Sequence, residues 1–110
     1  MTKFMTRNEE IILLTILKLK GNAYGVSIRK QIFQDTGDTW SFASIYQPLD
    51  HLVRKKFVRR RKGDPTARQG GKSKFYYEVT PEGLRNLQKL KKAHDQVWAQ
   101  VPEIFWENGK

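Results

Sequence analysis

Apolar positions along the chain fall into three stretches of helical period, then one that alternates, then a long helical stretch. Thr6-Arg7-Asn8-Glu9 has the residues of a capping box, in which the Thr6 hydroxyl accepts from the third amide while the Glu9 carboxylate reaches back. The helix it opens is predicted to run to about Lys20, with Ile12, Leu13, Ile16, Leu17 and Leu19 on its apolar face and Gly21-Asn22 as its stop. A second helix is predicted from Asn22 or Ala23 to about Thr36. Tyr24, Ile28 and Ile32 recur on one side of it, with Val26 and Phe33 flanking. Gly25, one turn in, is expected to let another backbone approach closely, and Gly37-Asp38 ends the helix. Thr39-Trp40 has room for a stub of strand, with Trp40 plugging the core.

Ser41 caps a third helix, Phe42 to about Lys55, which buries Ile45, Leu49, Leu52 and Val53. Ser44, Gln47, His51, Arg54 and Lys55 point the other way. Pro48 lies far enough inside to remove a backbone bond, so the early turns must be short, distorted or supported by packing. Beyond this helix the period drops to two. Phe75, Tyr77 and Val79 alternate with Lys74, Tyr76 and Glu78, and Gly63-Asp64-Pro65 and Gly70-Gly71 supply turn signals before them. Two strands joined by a long loop make a hairpin. Thr80-Pro81-Glu82 then starts a last helix, with Thr as cap, Pro at the first position and an acid in the first turn. Along it Leu87, Leu90, His94, Val97, Val101 and Ile104 follow a heptad seam until Pro102 breaks it. Such a seam predicts pairing with a second copy. Its alternative is to fold back on the chain's own first helix, and both can hold.

Charge sharpens this picture. The 110 residues carry a net charge of +10, and Arg54 to Lys74 holds ten Lys or Arg against the single acid Asp64. Nearly all the excess positive charge therefore sits in one fifth of the chain, the concentration expected of a surface that meets phosphate. Other uses of a charge run are simple solvation or a membrane surface, and the latter usually needs an amphipathic helix or an anchor. With no cysteine, the chain has neither a disulfide framework nor a thiolate site. No apolar run approaches a membrane span, and the amino terminus lacks the pattern of a secretory signal, so a cytoplasmic protein is expected. His51 and His94 have no carboxylate at ligand spacing, and there is no phosphate-binding glycine loop. No enzyme activity and no cofactor are expected.

Three helices followed by a basic hairpin form the winged helix-turn-helix arrangement, an α+β fold that is mostly α. Residues 1–80 are expected to form this DNA-binding domain, and 81–110 a long C-terminal dimerisation helix and tail. In that scheme the third helix enters the major groove. Ser44, Tyr46 and Gln47 near its start are the candidates for groove contact, and the Gln47 amide can pair with adenine bidentately. His51 and Arg54 follow on the same side. Arg68, Lys72 and Lys74 on the wing would bind phosphate or reach the minor groove. Alternate strand residues face opposite ways, so not all of Arg59 to Lys62 can touch DNA.

Four stretches carry a likeness to a known family. They are Asn22-Ala23-Tyr24-Gly25; Ser44-Ile45-Tyr46 with Leu49 and Leu52; Gly70-Gly71-Lys72 with Phe75-Tyr76-Tyr77; and Thr80-Pro81-Glu82-Gly83. In this order and spacing the chain resembles the PadR family of bacterial transcriptional regulators. It departs from the family where Gln47 separates Tyr46 from Pro48, and where His51 replaces a frequent arginine. Both positions lie on the reading helix and bear on the target sequence. The resemblance implies that Tyr46 hydrogen-bonds a phosphate and that the terminal helix dimerises through Leu87, Leu90, His94, Val97, Trp98, Val101 and Ile104. It also implies a use for Trp98, since some short members bind flat hydrophobic effectors between tryptophans at the dimer interface, although packing the dimer is the simpler role. The reading that follows is a homodimeric regulator, a repressor, on a palindromic double-stranded DNA operator. Its alternatives are a non-specific DNA or RNA binder that uses charge alone, and a module that meets an acidic protein.

Overall fold

A computed structural model of the chain describes residues 5–63 and 74–102. Helix α1 (Arg7–Leu19) opens on the expected capping box, with Thr6 Oγ1 accepting from Glu9 N at 3.1 Å and Glu9 Oε1 accepting from Thr6 N at 2.9 Å. Ile12, Leu13 and Ile16 enter the core, whereas Leu17 stays half-exposed at the edge of that face. The buried place beside them goes to Thr15, whose hydroxyl is satisfied by the Ile11 carbonyl at 2.7 Å. Lys20 ends the helix in the left-handed region at φ 49°.

Helix α2 (Gly25–Thr36) starts later than the hydrophobic pattern suggests. The Ala23 carbonyl is taken at 2.9 Å by the amide of Tyr77, which holds the residues before α2 against the hairpin and out of the helix. Ile28 and Ile32 are fully buried, while Val26 and Phe33, expected to flank the core, are exposed. No strand forms at 39–40. Trp40 packs partly buried against the core, and its carbonyl accepts from Arg29 Nε at 2.7 Å.

Helix α3 (Phe42–Arg54) is capped by Ser41 and runs through Pro48 without interruption. Ile45, Leu49 and Leu52 are wholly buried on either side of the proline, so packing supports the turn that lacks a backbone bond. Strands β1 (Val58–Lys62) and β2 (Phe75–Val79) pair antiparallel, Val58 opposite Val79 and Lys62 opposite Phe75. Val58 and Tyr77 turn inward to the core, whereas Phe75 is exposed.

Helix α4 (Pro81–Trp98) is anchored at its first turn. The Thr80 hydroxyl accepts from Gly83 N at 3.0 Å and donates to the Lys56 carbonyl at 2.7 Å, while Thr80 N donates to the Phe57 carbonyl at 3.0 Å. A Cβ at Gly83 would collide with the carbonyl oxygen of Phe57. The close backbone approach expected at Gly25 is therefore found at Gly83. Among the described residues no helix is long and apolar enough to cross a membrane.

One polar contact ties α1 to α3. The Glu9 side chain, only 3% exposed, accepts from Lys55 Nζ through both oxygens at 3.1 Å, and His51 Nδ1 lies 4.0 Å from it. The Lys55 side chain keeps 28% exposure, so its ammonium retains part of its water. Such a pair contributes less than a fully buried one but leaves a costly orphan when broken. The substitution Glu9→Gln retains an oxygen for the capping box and removes the charge. It should lower stability by about 1–2 kcal/mol, and Glu9→Ala by about 1 kcal/mol more as the cap is lost. Denaturant unfolding of both variants checks this, and midpoints equal to the parent's would show that the pair contributes nothing.

Candidate nucleic-acid interface

The inward face of α3 is fixed by Ile45, Leu49 and Leu52. At about 100° per residue the opposite line of the helix passes through Ala43, Gln47, Asp50 and Arg54, all exposed. Gln47 and Arg54 therefore lie where the sequence pattern puts them, on the outward side. His51 is exposed on one flank of this line and Tyr46 on the other. Ser44 is half-buried at the first turn, its hydroxyl 2.9 Å from that of the capping Ser41. Arg54 Nε donates to the Asp50 carbonyl at 3.4 Å.

Tyr46 packs against the first residue of α2. A Cβ at Gly25 would occupy the place of its hydroxyl, so the glycine admits an aromatic side chain and not a backbone. Phe42 stacks on the other side of the Tyr46 ring at 6.2 Å between centroids, and the Arg29 guanidinium sits 4.8 Å above Phe42. The hairpin closes the opposite wall. Tyr24, Gly25, Val26, Tyr46, Lys74, Phe75 and Tyr77 line one groove between β2 and the starts of α2 and α3. Burial pushes the Tyr77 phenol above its ordinary value; the charges of Tyr46 and Asp50 push the same way, and the positive charge of Arg60, opposite it on β1, works against them.

The basic residues of β1 divide between two faces. Arg60 lies opposite Tyr77 and covers Phe75 at 4.7 Å; Arg61 lies opposite Tyr76, covers it at 5.0 Å and pairs with Glu78 at 3.3 Å. Lys74 Nζ sits 4.0 Å above the Tyr24 ring, which meets Tyr76 edge-on at 5.6 Å. Cation–π contacts of this kind hold long side chains in place while leaving their charge at the surface. Arg68 and Lys72, also expected on the wing, lie outside the described residues.

The candidate dimer residues part company along α4. Leu87 is buried in the protomer's own core, and Leu90 and His94 are half-buried. His94 Nε2 reaches Glu10 Oε2 of α1 at 3.4 Å. Val97 and Trp98 are 77% and 52% exposed, Val101 is half-buried, and Ile104 lies outside the described residues. The helix ends at Trp98, three residues before the expected stop. Sequence reasoning missed three contributors: Lys55 as the partner of Glu9, Arg29 as the support of Phe42, and Asp50 on the outward line. For Asp50 the signal was present, because it follows Gln47 by three residues and precedes Arg54 by four.

Comparison with known proteins agrees with this geometry. Residues 13–89 match the transcriptional regulator PadR-like family. No curated protein matches the sequence. A PadR-like transcriptional regulator from Bacillus cereus superposes with a TM-score of 0.71 at 23% identity, over 88% of this chain and 89% of that one. A PadR family transcription regulator from Clostridium difficile R20291 gives 0.65 at 24% identity, over 89% and 97%. A transcriptional regulator from Clostridium thermocellum gives 0.68 at 21%, over 81% and 83%. These likenesses show the winged-helix fold. The family match spans α2, α3, the hairpin and most of α1, and with it the chain belongs to the PadR-like family of DNA-binding transcriptional regulators.

Proposed function

We propose that the chain is a repressor that binds a two-fold symmetric operator as a homodimer, with residues 1–80 reading DNA and 81–110 supplying the dimerisation helix. The observation that carries this reading is the exposed line of α3 beside a hairpin strand of four consecutive basic residues, Arg59 to Lys62. In this reading Gln47 pairs with adenine in the major groove, and Ser44, His51 and Arg54 lie along the same groove. Tyr46 hydrogen-bonds a phosphate, while Arg68, Lys72 and Lys74 grip phosphate or the minor groove from the wing. Leu90, His94, Val97, Trp98, Val101 and Ile104 meet their copies in the second protomer, with Leu87 packed beneath. Half-sites would then lie about one helical turn, roughly 34 Å, apart.

Anisotropy titrations against the region upstream of the gene and a scrambled duplex of equal length, at several salt concentrations, test the central claim. Selective binding upstream is expected, with footprints in two half-sites. Equal binding to both that falls steeply with salt would mean that the wing grips phosphate alone. Sedimentation should give a dimer for the parent chain and a monomer for Val97→Asp, and a monomeric parent would remove the homodimer.

Gly25→Ala probes Tyr46 at a distance. The added methyl takes the position of the hydroxyl, and the half-exposed ring can swing aside without unfolding the core. DNA affinity should fall severalfold while the thermal midpoint moves by only a few degrees. Unchanged affinity would separate Tyr46 from DNA binding.

In this reading Trp98, which is half-exposed next to Val97, stacks on a flat hydrophobic effector at the proposed interface. Such a compound should quench tryptophan emission in the parent and not in Trp98→Leu. A panel of planar compounds that leaves emission unchanged would remove the effector.

A further inference from the structure

The outward line of α3 carries an acid where a basic protein would be expected to carry a cation. Asp50 is exposed, one helical turn beyond Gln47 and one before Arg54. Its carboxylate makes no ion pair among the described residues, although other acids do: Glu9 with Lys55, Asp35 with Lys18, Glu78 with Arg61 and Asp95 with Lys91. Arg54, at the spacing of a helical ion pair, gives its Nε to the Asp50 backbone carbonyl and leaves the carboxylate open. Glu9, the acid that α1 presents to this helix, is occupied by Lys55. On the hairpin side, the Asp50 charge adds to the burial that raises the Tyr77 phenol, and the charge of Arg60 opposes it.

A carboxylate carried toward a duplex is repelled by the phosphates, and this repulsion is offset only where it meets a hydrogen-bond donor. In the major groove only two bases present one, cytosine through N4 and adenine through N6. Guanine offers two acceptors, and thymine an acceptor and a methyl group. Adenine sets its N7 acceptor beside N6, so the second carboxylate oxygen would face a lone pair. At cytosine the neighbouring position is an apolar C5–H, and the repulsion is absent.

We propose that Asp50 is a specificity-determining residue of α3, accepting a hydrogen bond from the N4 amino group of a cytosine in each half-site and rejecting guanine and thymine there. This rests on the DNA-reading function proposed above. It also sets a spacing. Three residues advance a helix by about 4.5 Å against roughly 3.4 Å per base pair, so the cytosine of Asp50 and the adenine of Gln47 lie one or two base pairs apart.

The test selects bound duplexes from a randomised pool with the full chain, in parallel for the parent, Asp50→Asn and Asp50→Ala. The parent should prefer cytosine at one position per half-site by about tenfold. Asp50→Ala should lose that preference alone while binding at least as tightly overall, because a charge that repels phosphate is gone. Asp50→Asn, which gains a donor, should accept guanine there. N4-methylcytosine at the same position removes the groove-facing hydrogen, and should weaken the parent about tenfold and Asp50→Ala hardly at all. Thermal melts matched to the parent's establish that the variants are folded.

A parent that selects a sequence, with variants that keep the same base profile, overturns the role of Asp50 and leaves the regulator reading intact. Variants that bind everything uniformly more tightly with an unchanged profile overturn it too, since the carboxylate would then act by charge alone. A parent without any base preference overturns both.

Discussion

The carboxylate of Glu9 is the constraint on which the placement of α3 against α1 depends. It closes the first turn of α1 by accepting from Thr6 N, and it receives the Lys55 ammonium from the end of α3. A buried acid with these partners is costly to leave alone and has one geometry in which it is satisfied. Apolar packing between α1 and α3 tolerates small slides, because Ile12, Leu13, Ile45, Leu49 and Leu52 are smooth and exchangeable in contact. The ion pair does not, since both oxygens must stay within reach of one nitrogen. It therefore adds register to a contact whose affinity is hydrophobic.

The hairpin is fixed by different means. Its own two strands are too few to be stable alone. It is held instead at its middle and at its base by backbone and side-chain bonds, Tyr77 N to the Ala23 carbonyl and Thr80 to the Lys56 and Phe57 carbonyls. The cations along it rest on aromatic rings: Arg60 on Phe75, Arg61 on Tyr76 and Lys74 on Tyr24. This arrangement orders long side chains in the free protein, and in the DNA-binding role proposed above it would lower the entropy lost on meeting phosphate. The same contacts spread the charge over both faces of the hairpin, so the concentration of positive residues in the sequence overstates how many can point one way at once.

Much of the fold is legible in the sequence because local chemistry and the hydrophobic period agree. The Thr6-to-Glu9 capping box, the Ser41 cap and the Thr80-Pro81 start are each made by the side chains that announce them. What stayed hidden depended on partners distant in sequence. Nothing local shows that Ala23 is claimed by Tyr77, and so α2 starts late. Nothing near Gly25 shows that its missing side chain makes room for Tyr46, or that the backbone contact of this kind is at Gly83. On α3 the basic and amide residues drew attention and the acid did not. The outward line is a property of the period, and Asp50 belongs to it as fully as Gln47.

The last helix follows the same logic of divided use. Its seam has one continuous spacing in the sequence, yet Leu87 is already spent in the protomer's core and His94 is turned to Glu10. Only beyond His94 does the apolar line become strongly exposed, at Val97 and Trp98. Adjacent carboxylates on the first turn of α1 thus face two directions, Glu9 to the end of α3 and Glu10 to α4. In the proposed dimer this makes α1 the element through which the two reading helices are placed relative to the axis that relates them. A half-site spacing of one helical turn then depends on contacts within each protomer as much as on the seam between them.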